Sequence, residues 1–137
     1  MNGSSRLTVV AARRPGTTPL HGPDHPYVDA VWLPVLGPAS YVLWRHLARL
    51  VEGPAPTTTS LPELAAATGF GTPHGRQSPF NRTLHRLERF SLVAIGDDCL
   101  VVRPALPFVT RRQLERLDPA IQALDHLHRD CAGRAAC

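Results

Sequence analysis

Residues 57–103 read TTTSLPELAAATGFGTPHGRQSPFNRTLHRLERFSLVAIGDDCLVVR, and the order of signals in this stretch decides the fold. Ser60-Leu61-Pro62-Glu63 has the form of a capping box, with Ser60 as N-cap and the Glu63 side chain reaching back to it. Pro62 falls in the first turn, where a missing N–H costs nothing. The run Leu64-Ala65-Ala66-Ala67 continues the helix and Gly69 supplies its positive-φ stop. After a link over residues 70–77, Ser78-Pro79 opens a second helix that runs to about Phe90. Leu92–Ile95 and Cys99–Arg103 then flank Gly96-Asp97-Asp98, which reads as strand, turn and strand.

The second helix carries the chemistry. Phe80, Leu84 and Leu87 recur at i, i+4 and i+7 and define a buried face bordered by Thr83 and Phe90. The opposite face presents Asn81, Arg82, His85, Arg86 and Arg89, with Arg76, Gln77 and Ser78 at the amino end. Arg82, Arg86 and Arg89 repeat the same spacing, so their guanidinium groups share one side. Four arginines and two side-chain amides stand against the single acid Glu88 in residues 76–89. A merely solvated helix face seldom carries charge this one-sided. A helix of this diameter fits the major groove of DNA, where arginine grips guanine and asparagine or glutamine grips adenine. Gln77, Asn81, Arg82 and His85 are therefore expected at base edges, and Arg86 and Arg89 at phosphates. Arg76 and the Ser78 hydroxyl stand where the helix start meets a phosphate.

Outward from this stretch the signals weaken. Tyr27–Leu33 is predicted as two helical turns ahead of Pro34. Gly37-Pro38 starts a stronger helix to about Val51, with Ala39, Leu43, Leu47 and Leu50 on one face and Tyr41, Trp44 and Val51 beside it. Trp32 and Trp44 read as core. Thr57-Thr58-Thr59 is β-prone, a short strand for a sheet edge. Downstream, Pro104–Pro107 forces an extended connector and Thr110-Arg111-Arg112-Gln113 forms another capping box. Asp118-Pro119 restarts the helix, on which Ile121, Leu124, Leu127 and His128 make a narrow stripe. That stripe either folds back as core or pairs with a second copy to give a homodimer through the C-terminal helix.

The limits of the domain follow from composition. Residues 1–24 hold five glycines and prolines between Pro15 and Pro23 and the arginines Arg6, Arg13 and Arg14, and are expected to be a disordered basic arm. Residues 25–130 form the folded domain and 131–137 a frayed tail. The 137 residues suffice for one core, and 43% hydrophobic content is ordinary for a globular chain. No apolar run approaches the ~20 residues that span a bilayer, which argues for a cytoplasmic protein and against a membrane partner. All fifteen basic residues are arginine and the net charge is +4, which suits a polyanionic partner.

Residues 60–103 resemble the winged helix-turn-helix superfamily of bacterial and phage transcription regulators. More narrowly, Tyr27–Leu36, the segment 75–79 and Arg111-Arg112-Gln113-Leu114 resemble small winged-helix proteins of high-GC bacteria and their phages. The resemblance covers roughly residues 27–128 and implies an α+β, mostly helical fold: a winged helix-turn-helix with a short β-hairpin wing and an extra C-terminal helix. It also implies sequence-specific double-stranded DNA binding by a transcription regulator. The alternative is a protein-interaction module docking on a transcription or replication component, since winged helices serve both uses. One departure favours the alternative. Such wings often carry a basic residue at the tip, and this tip reads Gly96-Asp97-Asp98.

Other chemistries find little support. His126, His128, Cys131 and Cys137 match no zinc spacing, and His21, His25, His46 and His74 are scattered, so no metal or cofactor is expected. The chain contains no G-x-S-x-G, no phosphate-binding glycine loop and no H-E-x-x-H, so no enzyme activity is expected. Cys99 reads as a small strand residue.

Overall fold

The two caps that open the decisive stretch both form, in a computed structural model that describes residues 6–12, 19–54, 56–71 and 78–134. In α3, Leu61–Ala67, the Ser60 hydroxyl accepts from the Glu63 amide at 3.3 Å. The Glu63 carboxylate does not return to Ser60; it accepts from the Thr59 hydroxyl at 3.0 Å and pairs with Arg6 at 3.4 Å. The helix ends at Gly69, φ +81°, where the amides of Gly69 and Phe70 bond back to Ala66 and Ala65. α4, Pro79–Arg89, begins with the Ser78 hydroxyl accepting from the Asn81 amide at 3.2 Å. It ends through Ser91, which takes φ +61° so that the Ser91 and Leu92 amides bond to Glu88 and Leu87. That turn swings the chain directly into a hairpin of β3, Val93–Ile95, and β4, Cys99–Val102.

The hairpin belongs to a mixed four-stranded sheet, in the order β2-β1-β4-β3. Here β2 is Thr57–Thr59, at the edge as its composition suggests, and β1 is Leu7–Ala11. Within the segment 1–24, expected to be a disordered arm, Leu7–Ala11 is instead an ordered strand. It runs antiparallel to β2, with Leu7 opposite Thr59, and parallel to β4, with Val9 opposite Leu100. Leu7 and Val9 point inward and are fully buried, while Thr8 and Val10 are half-covered on the other face. A five-residue strand is stable here because both its edges are paired; alone it would be unfolded. Arg13 and Arg14 lie outside the described residues.

The helical layer packs on this sheet. A π-helical turn, Val28–Trp32, runs into α1, Leu33–Leu36, so the helix passes through Pro34 instead of stopping before it. Gly37, at φ +86°, then redirects the chain into α2, Pro38–Leu50. α2 buries Tyr41, Leu43, Trp44, Leu47 and Ala48; Ala39, expected on the buried face, is exposed. Both tryptophans are core, and each indole N–H donates at 2.8 Å to a carbonyl of the downstream connector, Trp44 to Arg103 and Trp32 to Pro107. α4 packs Phe80, Leu84 and Leu87 toward α2 and β3.

Beyond the sheet, Leu106 forms a two-residue bridge with His21, and α5, Arg111–Glu115, opens with both halves of its capping box. α6, Pro119–Ala132, is N-capped by Asp118 at 2.8 Å and remains helical past Cys131, where a frayed tail was expected. Its docking face takes in only part of the apolar stripe, the half-buried Ile121 and His128. Asp125 is 1% exposed and accepts from the Tyr27 hydroxyl at 2.6 Å, whereas Leu127 is 61% exposed and Leu124 also faces outward.

Two of the histidines that look scattered in sequence, His21 and His25, meet His128 where α6 docks. The rings of His21 and His25 lie 4.6 Å apart, and His128 stands 6.1 Å from His25. Among the described residues no group of three or more His, Cys, Asp or Glu could hold a metal ion. His21 Nδ1 faces the Leu106 carbonyl at 2.8 Å and so carries its proton there; His25 Nδ1 instead accepts from the Tyr27 amide at 3.0 Å. Burial holds both pKa values below their ordinary 6.5, helped by the neighbouring histidines and, for His21, by Arg129. Tyr27 and Asp125 complete the surroundings. Because the unfolded chain takes up these protons first, stability is fully present above about pH 6.5 and falls as pH drops below it. Thermal melts from about pH 8 to about pH 5 should therefore fall more steeply at the acid end than those of His21→Gln.

Candidate nucleic-acid interface

α4 is built to show one face. Its eleven residues extend about 16 Å, and Phe80, Thr83, Leu84 and Leu87 hold one side against the protein. At 100° per residue, His85, Arg89, Arg82 and Arg86 fall within an arc of about 100° centred opposite that buried side. All four are exposed. The Thr83 hydroxyl bonds back to the Pro79 carbonyl at 2.8 Å, and so sends no free donor outward. α6 docks on the π-helical turn instead, which leaves the α4 ridge uncovered by the chain's own carboxy-terminal helix.

The individual placements differ from the expected division of labour. Arg82 and Arg89 reach solvent with no ion pair or hydrogen bond among the described residues. Arg86 is partly committed: its Nε donates to the Leu36 carbonyl at 3.3 Å and its guanidinium stands 5.5 Å from the Phe90 ring centre. Only its terminal nitrogens remain for an external anion. His85 lies 3.7 Å from Glu88, whose other carboxylate oxygen accepts from the Ile95 amide at 3.2 Å and so ties α4 to the hairpin. Asn81 is half-buried. Ser78 is buried, and its hydroxyl oxygen is occupied in capping, so it is poorly placed as a phosphate ligand. Arg76 and Gln77 lie outside the described residues.

A ledger of the described arginines other than Arg103 sharpens the picture. Arg6, Arg45, Arg49, Arg111, Arg129 and Arg134 each pair with a carboxylate within 4 Å. Arg82, Arg86 and Arg89 on α4 do not, and neither do Arg112 on α5 and Arg116 at its C-cap. The last two were missed as site candidates because Thr110–Gln113 reads as a cap and nothing more. Their i, i+4 spacing was the available signal, but only the fold shows that α5 faces the end of α4, with Arg86, Arg112 and Arg116 lining one cleft. Uncompensated positive charge is thus concentrated on two neighbouring helices, where it attracts phosphate or carboxylate groups.

The hairpin tip has the opposite sign. Asp97 and Asp98 are exposed, and neither pairs with a cation among the described residues. The Asp98 carbonyl accepts from the Thr8 amide at 2.9 Å, which fixes the tip to the start of β1. No helix among the described residues is long and apolar enough to cross a membrane. No protein-family model, curated protein or solved structure matches the chain.

Proposed function

We propose that this chain is a double-stranded DNA-binding protein of winged helix-turn-helix type, with α4 as the reading helix. The observation that carries the reading is the ridge of Arg82, Arg86 and Arg89, exposed opposite a fully packed face and unneutralised by any carboxylate among the described residues. The chain order α2, β2, α3, α4, β3, β4 supports it, as does the hairpin's bond to Glu88 of the same helix. The departure from a plain winged helix is β1, which stands between β2 and the hairpin. We read it as an added strand that stiffens the sheet behind α4. A cytoplasmic transcription regulator is the role that fits such a module best.

Arg82, near the amino end of α4, is placed to meet base edges, and Arg89, at its last turn, to meet phosphate. In mobility shifts on a DNA selected from a random pool, Arg82→Ala should cost about 1–3 kcal/mol and relax the base preference. Arg89→Ala should weaken all sequences alike and reduce the salt slope by about one unit. Wild-type affinity in both variants would remove the proposed reading surface. The acidic tip at Asp97 and Asp98 favours a second reading, docking of the hairpin on a basic partner protein. DNA binding through several guanidinium groups falls steeply with salt, and a salt-insensitive complex with a purified partner would decide for docking.

A further inference from the structure

The cleft between α1, the end of α4 and α5 has two chemistries in one cavity. Its volume is about 260 Å³, and its walls include Pro34, Val35, Phe90 and Leu117. Arg86, Arg112 and Arg116 supply guanidinium groups to the same cavity, and Gln113 completes the lining. Among the described residues no carboxylate lines it. Glu115, between Arg112 and Arg116 in sequence, is turned toward Arg111 at 3.8 Å. Arg86 is held in place by the Leu36 carbonyl and the Phe90 ring, so one cation is pre-positioned. The Gln113 carbonyl oxygen is occupied by the Thr110 amide, which leaves its amide N–H groups as the available donors.

From this combination we infer a binding site for a small organic anion with a flat apolar body, an aromatic carboxylate in the simplest case. The apolar walls and concave shape argue against a bare ion or a DNA backbone as the occupant, since neither fills such walls. The guanidinium groups argue against a neutral ligand, because three clustered cations gain most from a counter-charge in a partly desolvated cleft. The size is below the about 300–1,000 Å³ of sites for drug-sized ligands, which limits the body to one or two rings. The carboxylate sits against Arg112 and Arg116 and the free nitrogens of Arg86, with the rings against Phe90, Val35 and Leu117.

The test uses the full chain without DNA, so it stands apart from the DNA-binding reading. Calorimetry and amide chemical shifts are measured with three probes: naphthoate, the neutral naphthalenemethanol and acetate. Naphthoate should bind with Kd below about 1 mM, shifting the amides of Val35, Phe90 and Leu117, and the other two should bind at least about tenfold more weakly. The double variant Arg112→Gln, Arg116→Gln removes two exposed, unpartnered side chains and should keep the fold while losing naphthoate affinity about tenfold or more. Arg134→Gln, just past the end of α6, should bind as the wild type does. Absent naphthoate binding, equal binding of acetate or the alcohol, shifts confined to other residues, or full affinity in the double variant would each overturn the assignment.

Discussion

Removing residues 1–12 is expected to leave the chain unfolded in water. β1 is the strand that joins β2 to β4, with Leu7–Val9 paired to Thr57–Thr59 on one side and Thr8–Ala11 to Cys99–Val102 on the other. Its loss strands a three-residue β2 with no neighbour and reduces the sheet to an isolated hairpin, which is marginal by itself. Two fully buried side chains, Leu7 and Val9, go with it, at about 1.5–3 kcal/mol each. Ladder bonds on both edges add about 0.5–1.5 kcal/mol apiece. Together these match the whole stability of a small domain, about 5–15 kcal/mol. Circular dichroism should show loss of cooperative melting. A milder version separates the strand from a loose arm. Val9→Asp places a carboxylate at a position with 0% exposure and should cost about 3–5 kcal/mol, whereas Thr8→Asp, on the half-covered face, should cost far less. Equal and negligible effects would mean that the segment does not belong to the sheet.

The contrast between β1 and α4 shows where sequence reading succeeds. Every determinant of α4 is local: the Ser78 cap, Pro79 in the first turn, and the i, i+4, i+7 repeat of Phe80, Leu84 and Leu87 all lie within a dozen residues. The same is true of the capping box at Thr110 and of the turn between Ile95 and Cys99, and all three form. β1 has no such local warrant. Leu7-Thr8-Val9 alternates for only three positions, is followed by glycines and prolines, and owes its existence to strands roughly fifty and ninety residues away. Its partners, not its composition, order it. The cleft residues Arg112 and Arg116 were hidden for a related reason, since a helix face acquires meaning only when the element opposite it is known.

α6 shows a different failure. Ile121, Leu124 and Leu127 make the apolar stripe that ordinarily marks a docking face, yet Leu124 and Leu127 lie outside. The body offers α6 polar groups that need partners, the Tyr27 hydroxyl and the Val109 carbonyl. Once Tyr27 and the connector are buried, leaving those groups unmet costs more than exposing two leucines. The helix therefore turns Asp125 and Arg129 inward. Nothing in residues 119–132 alone reveals that preference.

Tyr27→Phe is accordingly expected to cost about 2–4 kcal/mol, a large effect for the removal of one oxygen. The Tyr27 hydroxyl donates to Asp125 at 2.6 Å and accepts from the Val109 amide at 2.9 Å. The carboxylate's second donor is Arg129, which bonds Asp125 at 2.8 Å and the Val109 carbonyl at 2.7 Å while lying 4.7 Å from the Phe108 ring centre. Phenylalanine leaves the Val109 amide without an acceptor and the buried carboxylate with one donor fewer, and no water replaces them cheaply in a fully covered site. Tyr41→Phe provides the comparison, because that hydroxyl donates to Asp29 at 3.1 Å in a half-covered position and its loss should cost only about 0.5–1.5 kcal/mol. Urea melts at neutral pH give both values. Hydrogen exchange should locate the damage, with the amides of α6 losing protection in Tyr27→Phe while those of α4 keep it. If the two variants cost the same, or if α4 opens together with α6, the hydroxyl is not what anchors the carboxy-terminal helix, and its attachment must rest on the half-buried Ile121 and the histidine rings instead.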